Sequence, residues 1–280
     1  IMPSLVGSEM CIRDRPIYAF LGVVSDTQFH IPSISLTDEK NFISRAKIIV
    51  NDEFNRIFKI CNGIIYFRDY VINDKLSSTS YLMLKAGAII HPFFSRVIDI
   101  NQPEAKLKSN IRKSYKSLIN SGLRELGPQI FCSSNITLEK MMEFRKVHIL
   151  EAGRETRSEA SWRCQLEMIQ KNEAFAVFGY LAGELLTAGL FLVSNNNCVY
   201  AASASRRDKF DKPMFHASMW TAILYAKEIG CHWFEVGEQI YENHFADKQP
   251  TAKELGISTF KAGFGGETRM FLDLQLKINI

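Results

Sequence analysis

The sequence predicts an α+β fold in two parts, with mixed sheets flanked by helices. Three observations carry this expectation. Helical and strand-like hydrophobic periods are interspersed along the whole chain. Residues 174–237 read as three short strands, a helix and a further strand, the order of a mixed sheet with a crossover helix. At 280 residues the chain is long for a single core, and Gly127-Pro128 breaks it near the middle.

Ile17 to Val24 is a short continuous apolar run and reads as a buried strand. Phe42, Ile43, Ala46, Ile49, Val50, Phe54 and Ile57 recur at helical spacing over 38–59, with Thr37 as the N-cap. Gly63 to Tyr70 is rich in branched and aromatic residues and reads as a strand. Tyr81 to Leu84, Ala88 to Ile90 and Arg96 to Ile100 read as short strands separated by Gly87 and Pro92. A basic helix follows over 103–120, with Leu107, Ile111, Tyr115, Leu118 and Ile119 on its apolar face and Gly122 as its left-handed stop. Thr137 caps a helix that stops at Gly153, and another runs over 159–171. Strands at 174–180, 185–193 and 198–204 form a meander, its turns at 181–184 and 194–197. Asp211-Lys212-Pro213 opens a strong helix that Gly230 ends, and His232 to Val236 is the next strand.

Composition is that of a globular chain, 46% hydrophobic and 23% charged, with a net charge of +4 that suits an anionic partner without demanding one. The longest apolar runs fall far short of the roughly 20 residues that span a bilayer, so no transmembrane helix is expected, while peripheral membrane contact stays compatible. The six cysteines are dispersed and the six histidines lack ligand spacing, so no metal site is expected and a reducing, cytoplasmic setting is the simplest one. Residues 1–15 have no clear period and lack the layout of a secretory signal. They resemble translated adapter read-through and read as a dispensable, non-native leader, in which case the first strand is incomplete. There is no Gly-x-Ser-x-Gly elbow around Ser203 or Ser205, no Walker loop and no Rossmann fingerprint.

Several segments, in order, carry a family resemblance. They are Arg96-Val97-Ile98-Asp99; Ile111-Arg112-Lys113-Ser114-Tyr115-Lys116 with Gly122; and Gly153-Arg154-Glu155-Thr156-Arg157-Ser158 with Trp162. Pro213 with His216, Ala226-Lys227-Glu228-Ile229-Gly230, Glu235-Val236-Gly237 and residues 257–266 complete the set. Over roughly residues 80 to 275 the chain resembles the FemABX-like branch of the GNAT (Gcn5-related N-acetyltransferase) superfamily. The resemblance implies two GNAT-like subdomains, 16–127 and 128–280, the second carrying acyl transfer. It implies an acyltransferase or aminoacyltransferase that forms an amide on an amine acceptor, an amino sugar or a cell-envelope or surface-polysaccharide precursor. The donor is acyl-CoA or aminoacyl-tRNA, and the acceptor a small or lipid-linked amine. The rival reading is a non-catalytic module of the same fold that binds glycan or RNA.

By the same resemblance Lys261 lies near the acyl carbonyl, where an ammonium stabilises a developing oxyanion; otherwise it is a surface lysine in a Gly-rich turn. Glu235, at a strand end with Glu238 and Gln239 beyond, takes a proton from the amine or is a solvated loop carboxylate. His216, in a first helical turn, faces substrate and shares with Glu235 the candidacy for proton removal, or it packs or bonds solvent. Arg154 and Arg157 suit a phosphate or carboxylate, or flank a helix as surface charge; Trp162 is core or pocket wall. Arg112 and Lys116 on the basic helix bind an anionic substrate, tRNA included, or cover a solvated face. The chain departs from ordinary acetyltransferases at 205–213, where the pyrophosphate-binding glycines are absent, though the side chains of Arg206 and Arg207 could still reach phosphate. It also lacks the coiled-coil arm found in several FemABX enzymes.

Overall fold

A computed structural model describes residues 11–12, 15–16, 23–25, 28–31, 64–70, 76, 78–194, 196–210, 213–243 and 249–277. Contacts divide the chain into two compact units, Ile1–Phe94 with Met270–Ile280, and Ser95–Arg269. The boundary expected at 127–128 therefore falls inside the second unit. The basic helical region belongs there because its apolar residues Leu107, Ile111, Tyr115 and Ile119 join the core built on the meander. The expected helix over 38–59, residues 17–22 and most of the expected leader lie outside the described residues.

In the first unit β1 (Val23–Ser25) pairs antiparallel with β2 (Gln28–Ile31), and β2 runs parallel to β3 (Ile64–Tyr70). Beyond Arg269, β10 (Glu267–Lys277) pairs antiparallel with β3 and puts Asp273 opposite Arg68. That register produces a two-point ion pair, Nε to Oδ1 at 2.5 Å and Nη2 to Oδ2 at 2.7 Å. The Arg68 guanidinium also covers the Phe93 ring. Residues 81–84, expected as a strand, belong to helix α1 (Ser78–Lys85). Leu, Met and Lys are good helix formers, and Met83 is fully buried from that helix. The two strands expected at 88–90 and 96–100 are one, β4 (Ile89–Asp99). Pro92 does not interrupt it: proline's fixed φ suits extended backbone, and its only loss is a donor at an exposed position.

The second unit begins with the inner half of β4 and a helical pair, α2 (Glu104–Asn110) and α3 (Lys113–Leu126). The single basic helix expected over 103–120 is split because Ile111 and Arg112 are extended, and the Arg112 N–H donates to the Gly263 carbonyl at 2.8 Å. Gly122 is not the stop. It lies inside α3, where an added Cβ would stand 2.6 Å from the Ala217 Cβ, so it permits close approach of α3 to α6 (Phe215–Glu228). Gly127, at φ 47°, makes the left-handed cap.

Then come β5 (Gln129–Phe131), α4 (Leu138–Ala152), α5 (Glu159–Gln170), β6 (Ala174–Leu181), β7 (Glu184–Val193) and β8 (Asn197–Ser205). Two caps are those expected, Thr137 Oγ1 accepting from Lys140 N and Gly153 ending α4 at φ 69°; α5 has a further cap in Ser158, whose Oγ accepts from Ser161 N. α6, β9 (Trp233–Glu238) and α7 (Ala252–Ala262) complete the unit. The strand order is β4-β9-β8-β7-β6-β5, antiparallel throughout except for the β8–β9 pair.

The sheet is buried on both faces, which is why β6 reads as an unbroken apolar run. Phe175 and Val177 point into one cluster with Tyr115, Met219, Ile223 and Phe234. Ala174, Ala176 and Phe178 point into another with Phe144, Trp162 and Ile169. At about 1.5–3 kcal/mol for each fully buried large side chain, these clusters dominate the unit's stability.

Candidate functional site

The site is set by where β8 and β9 stop being partners. They pair only from Asn197↔Trp233 to Val199↔Glu235. Beyond that, β8 stays with β7 as far as Ser205↔Thr187, and β9 stays with β4 as far as Glu238↔Ser95. Each strand has a register shift at the point of separation, between Tyr200 and Ala202 on β8 and between Glu235 and Gly237 on β9. A bulge bends its strand and increases local twist. Two bulges at one level therefore open a wedge between neighbouring parallel strands and leave main-chain polar groups along it without a ladder partner.

Lys261 reaches the β9 side of this wedge. It sits in the last turn of α7, not in a loop. Thr251 starts that helix with a capping box, its Oγ1 accepting from Glu254 N and the Glu254 carboxylate accepting from Thr251 N. The Lys261 ammonium donates to the Glu238 carbonyl at 3.2 Å. It lies over Gly237, whose φ of 103° requires glycine and where a Cβ would stand 3.0 Å from Nζ. Burial holds the Lys261 pKa below the usual lysine value, with Glu238 and Glu235 opposing that shift. Glu235 is half-buried, and its Oε1 accepts from the buried Ser95 hydroxyl at 2.7 Å. Lys261, Glu235 and the backbone of Gly237 and Glu238 are thus brought together. Tyr200, where β8 leaves, hydrogen-bonds Ser203, and burial raises its pKa to about 12.

Other expected residues lie elsewhere. His216 is 3% exposed, boxed by Tyr115, Phe260 and Phe264 at centroid distances of 4.2, 5.1 and 5.8 Å. Neither ring nitrogen makes a well-formed hydrogen bond. Burial lowers its pKa to about 4, the Pro213 backbone opposing and Arg112 adding to the shift. It is a packed, neutral side chain, because the face of α6 that carries it is covered by α3 and α7. Trp162 is core, 1% exposed against Phe144 and His148, rather than pocket wall. Gln239 is also buried, with Nε2 donating to the Glu238 carbonyl.

Arg154 is exposed and Arg157 half-buried in the loop between α4 and α5. Arg206, expected to reach phosphate, is bound by two carboxylates: Nη1 donates to Glu184 and Nη2 to Asp208, both at 2.7 Å. Arg207 is exposed and pairs with Glu151 at 3.0 Å. Arg112 donates to the Thr259 carbonyl, and Lys116 to the Ser109 carbonyl. Residues the sequence reading did not single out are Ser95, which holds Glu235, and Tyr200. Ser95 has no local signal; its role comes from strand pairing alone. The helix opened by Asp211-Lys212-Pro213 starts later than expected, at Phe215 with Met214 as an N-cap that gives no side-chain bond.

Among the described residues, no helix is long and apolar enough to cross a membrane. No protein-family model matches the chain, and no curated protein does. Solved structures do. FemX aligns with a TM-score of 0.67 at 12% identity, over 95% of this chain and 86% of that one. The C-terminal domain of a putative lysylphosphatidylglycerol synthetase from Agrobacterium fabrum gives 0.64 at 14%, over 92% and 80%. A tandem GNAT protein of the clavulanic acid biosynthesis pathway gives 0.53 at 9%, over 96% and 82%. The chain therefore has an α+β GNAT-like fold.

Proposed function

We propose that the chain is an acyltransferase or aminoacyltransferase that forms an amide on an amine acceptor, an amino sugar or a cell-envelope precursor. The observation that carries this is the Lys261 ammonium held beside the wedge between β8 and β9, next to the Glu235 carboxylate. A donor carbonyl seated in the wedge would meet unladdered backbone on one side and the ammonium on the other. The amine nitrogen attacks the carbonyl carbon, and the C–N bond forms as the carbonyl π electrons move to oxygen. Lys261 stabilises that oxyanion. Glu235, oriented by Ser95, accepts the proton the amine loses. Collapse of the intermediate then breaks the bond to the leaving oxygen or sulfur, which takes up a proton.

Aminoacyl-tRNA fits the donor side better than acyl-CoA. The 205–213 segment has no glycines to cradle a pyrophosphate, and Arg206 is already bound by Glu184 and Asp208. The likeness in fold to FemX and to a lysylphosphatidylglycerol synthetase points the same way, and the latter's name suits a lipid-linked acceptor. The test is turnover by the full chain with aminoacyl-tRNA or acetyl-CoA against a panel of amino sugars and aminoacylatable lipids. Lys261→Met is expected to keep the fold, by circular dichroism, and to lose about a hundredfold or more in kcat. Near-normal turnover in that variant removes Lys261 from the mechanism. Saturable binding of donor or glycan with no turnover under any pairing would instead mark a binding module.

A further inference from the structure

The second unit contains a cleft of about 620 Å³ that none of the wedge residues lines. Three arginines reach it from three directions: Arg96 from β4, Arg112 from the break between α2 and α3, and Arg269 from the start of β10. Trp233 forms part of the wall. The floor is built for close approach. A Cβ on Gly265 would stand 3.1 Å from Asn110, and one on Gly266 would stand 2.3 Å from the Val97 carbonyl oxygen. Both glycines have positive φ, 90° and 73°.

Arg96 and Arg112 are held in place with donors to spare. Arg96 donates Nε to the Gly265 carbonyl at 2.7 Å and a long bond from Nη1 to Thr268. Arg112 donates to the Thr259 carbonyl at 3.2 Å and, at 3.5 Å, to the Tyr115 hydroxyl. Arg269 lies over the Trp233 ring at 4.0 Å. A guanidinium carries five N–H donors, so each of the first two retains capacity toward a ligand. Asp99 and Glu267 also line the cleft: Glu267 pairs with Arg269, while Asp99 accepts from the Asn101 N–H and keeps its charge, so three guanidiniums stand against two carboxylates. The excess is cationic, and guanidinium forks match phosphate oxygens. The volume exceeds what a bare phosphate needs and lies within the usual range for a small organic ligand.

We propose that this cleft binds a phosphorylated small molecule of about nucleotide size, its phosphate on Arg96 and Arg112 and its remaining body against the Arg269–Trp233 wall. The proposal does not rest on the transfer reaction, because binding is read without turnover. The experiment is calorimetric titration of the full chain with AMP, adenosine, glycerol 3-phosphate and inorganic phosphate, repeated on Arg112→Ala and Trp233→Phe after thermal melts confirm folding. AMP is expected to bind at least about tenfold tighter than adenosine, and Arg112→Ala to weaken it about tenfold or more. AMP binding tighter than glycerol 3-phosphate, with that gap narrowed in Trp233→Phe, supports a nucleotide source. Equal binding of the two supports a phosphorylated headgroup seated by the same arginines. Adenosine binding as tightly as AMP, an unaffected Arg112→Ala, or no binding of any phosphate probe at millimolar concentration overturns the proposal.

Discussion

Acidification tests the aromatic box around His216 directly. In the folded chain the imidazole is neutral, its pKa lowered by burial to about 4. In the unfolded chain it returns to about 6.5. The unfolded state therefore binds a proton that the native state refuses throughout the window between these values. The sign follows: the contribution is fully present above pH 6.5 and is lost progressively as pH falls toward 4. At about 1.4 kcal/mol per pKa unit the full loss is about 3 kcal/mol, and about 2.5 kcal/mol of it is reached by pH 4.5. Carboxylates titrate in the same range, so the measurement is a difference. Urea unfolding of the wild type and of His216→Phe at pH 7.5 and 4.5 isolates the histidine, because every other group is common to both. Phenylalanine keeps an apolar ring against Tyr115, Phe260 and Phe264. The variant should lose about 2.5 kcal/mol less on acidification than the wild type. Equal losses in the two proteins would mean that His216 is protonated or solvated in the native state, and its exclusion from proton transfer would fall with that result.

Two substitutions probe the close contacts. Gly122→Ala drives a Cβ to 2.6 Å from that of Ala217 between α3 and α6, and is expected to cost about 1–3 kcal/mol in chemical denaturation, against the small gain alanine normally gives inside a helix. Gly237→Ala combines a positive φ with a contact on the Lys261 ammonium; it should lower the melting temperature modestly and turnover far more, and turnover that falls no more than stability does would separate Gly237 from the reacting centre.

What the sequence made legible is what local chemistry determines. Thr137 marks a helix start through a bond to a residue three positions on, and Gly153 marks its end through a left-handed backbone that glycine adopts readily, and the structure has both there. The meander at 174–204 was legible for a related reason: its turns separate three apolar runs. Thr251 and Glu254 carry an equally local signal for the start of α7, just ahead of the Gly-rich segment at 263–266. Gly122 shows the limit. A glycine after a basic amphipathic stretch reads as a stop, but here its missing side chain serves α6, which lies some ninety residues away in the chain.

The same distinction explains which candidate site residues converge. Lys261 and Glu235 come together because α7 carries the ammonium to the Glu238 carbonyl beside the register shift in β9, a packing of helix on strand invisible in either segment alone. His216 occupies the first turn of the helix that follows β8, and its position along the chain is as favourable for chemistry as that of Glu235. Its face is decided by Tyr115 from α3 and Phe260 from α7, and those two rings exclude it from solvent. Phe260 is the neighbour of Lys261 on α7, so one helix turn directs an ammonium to the β9 edge and an aromatic ring onto His216. A change that rotates α7 would therefore be expected to disturb the ammonium and the histidine box together.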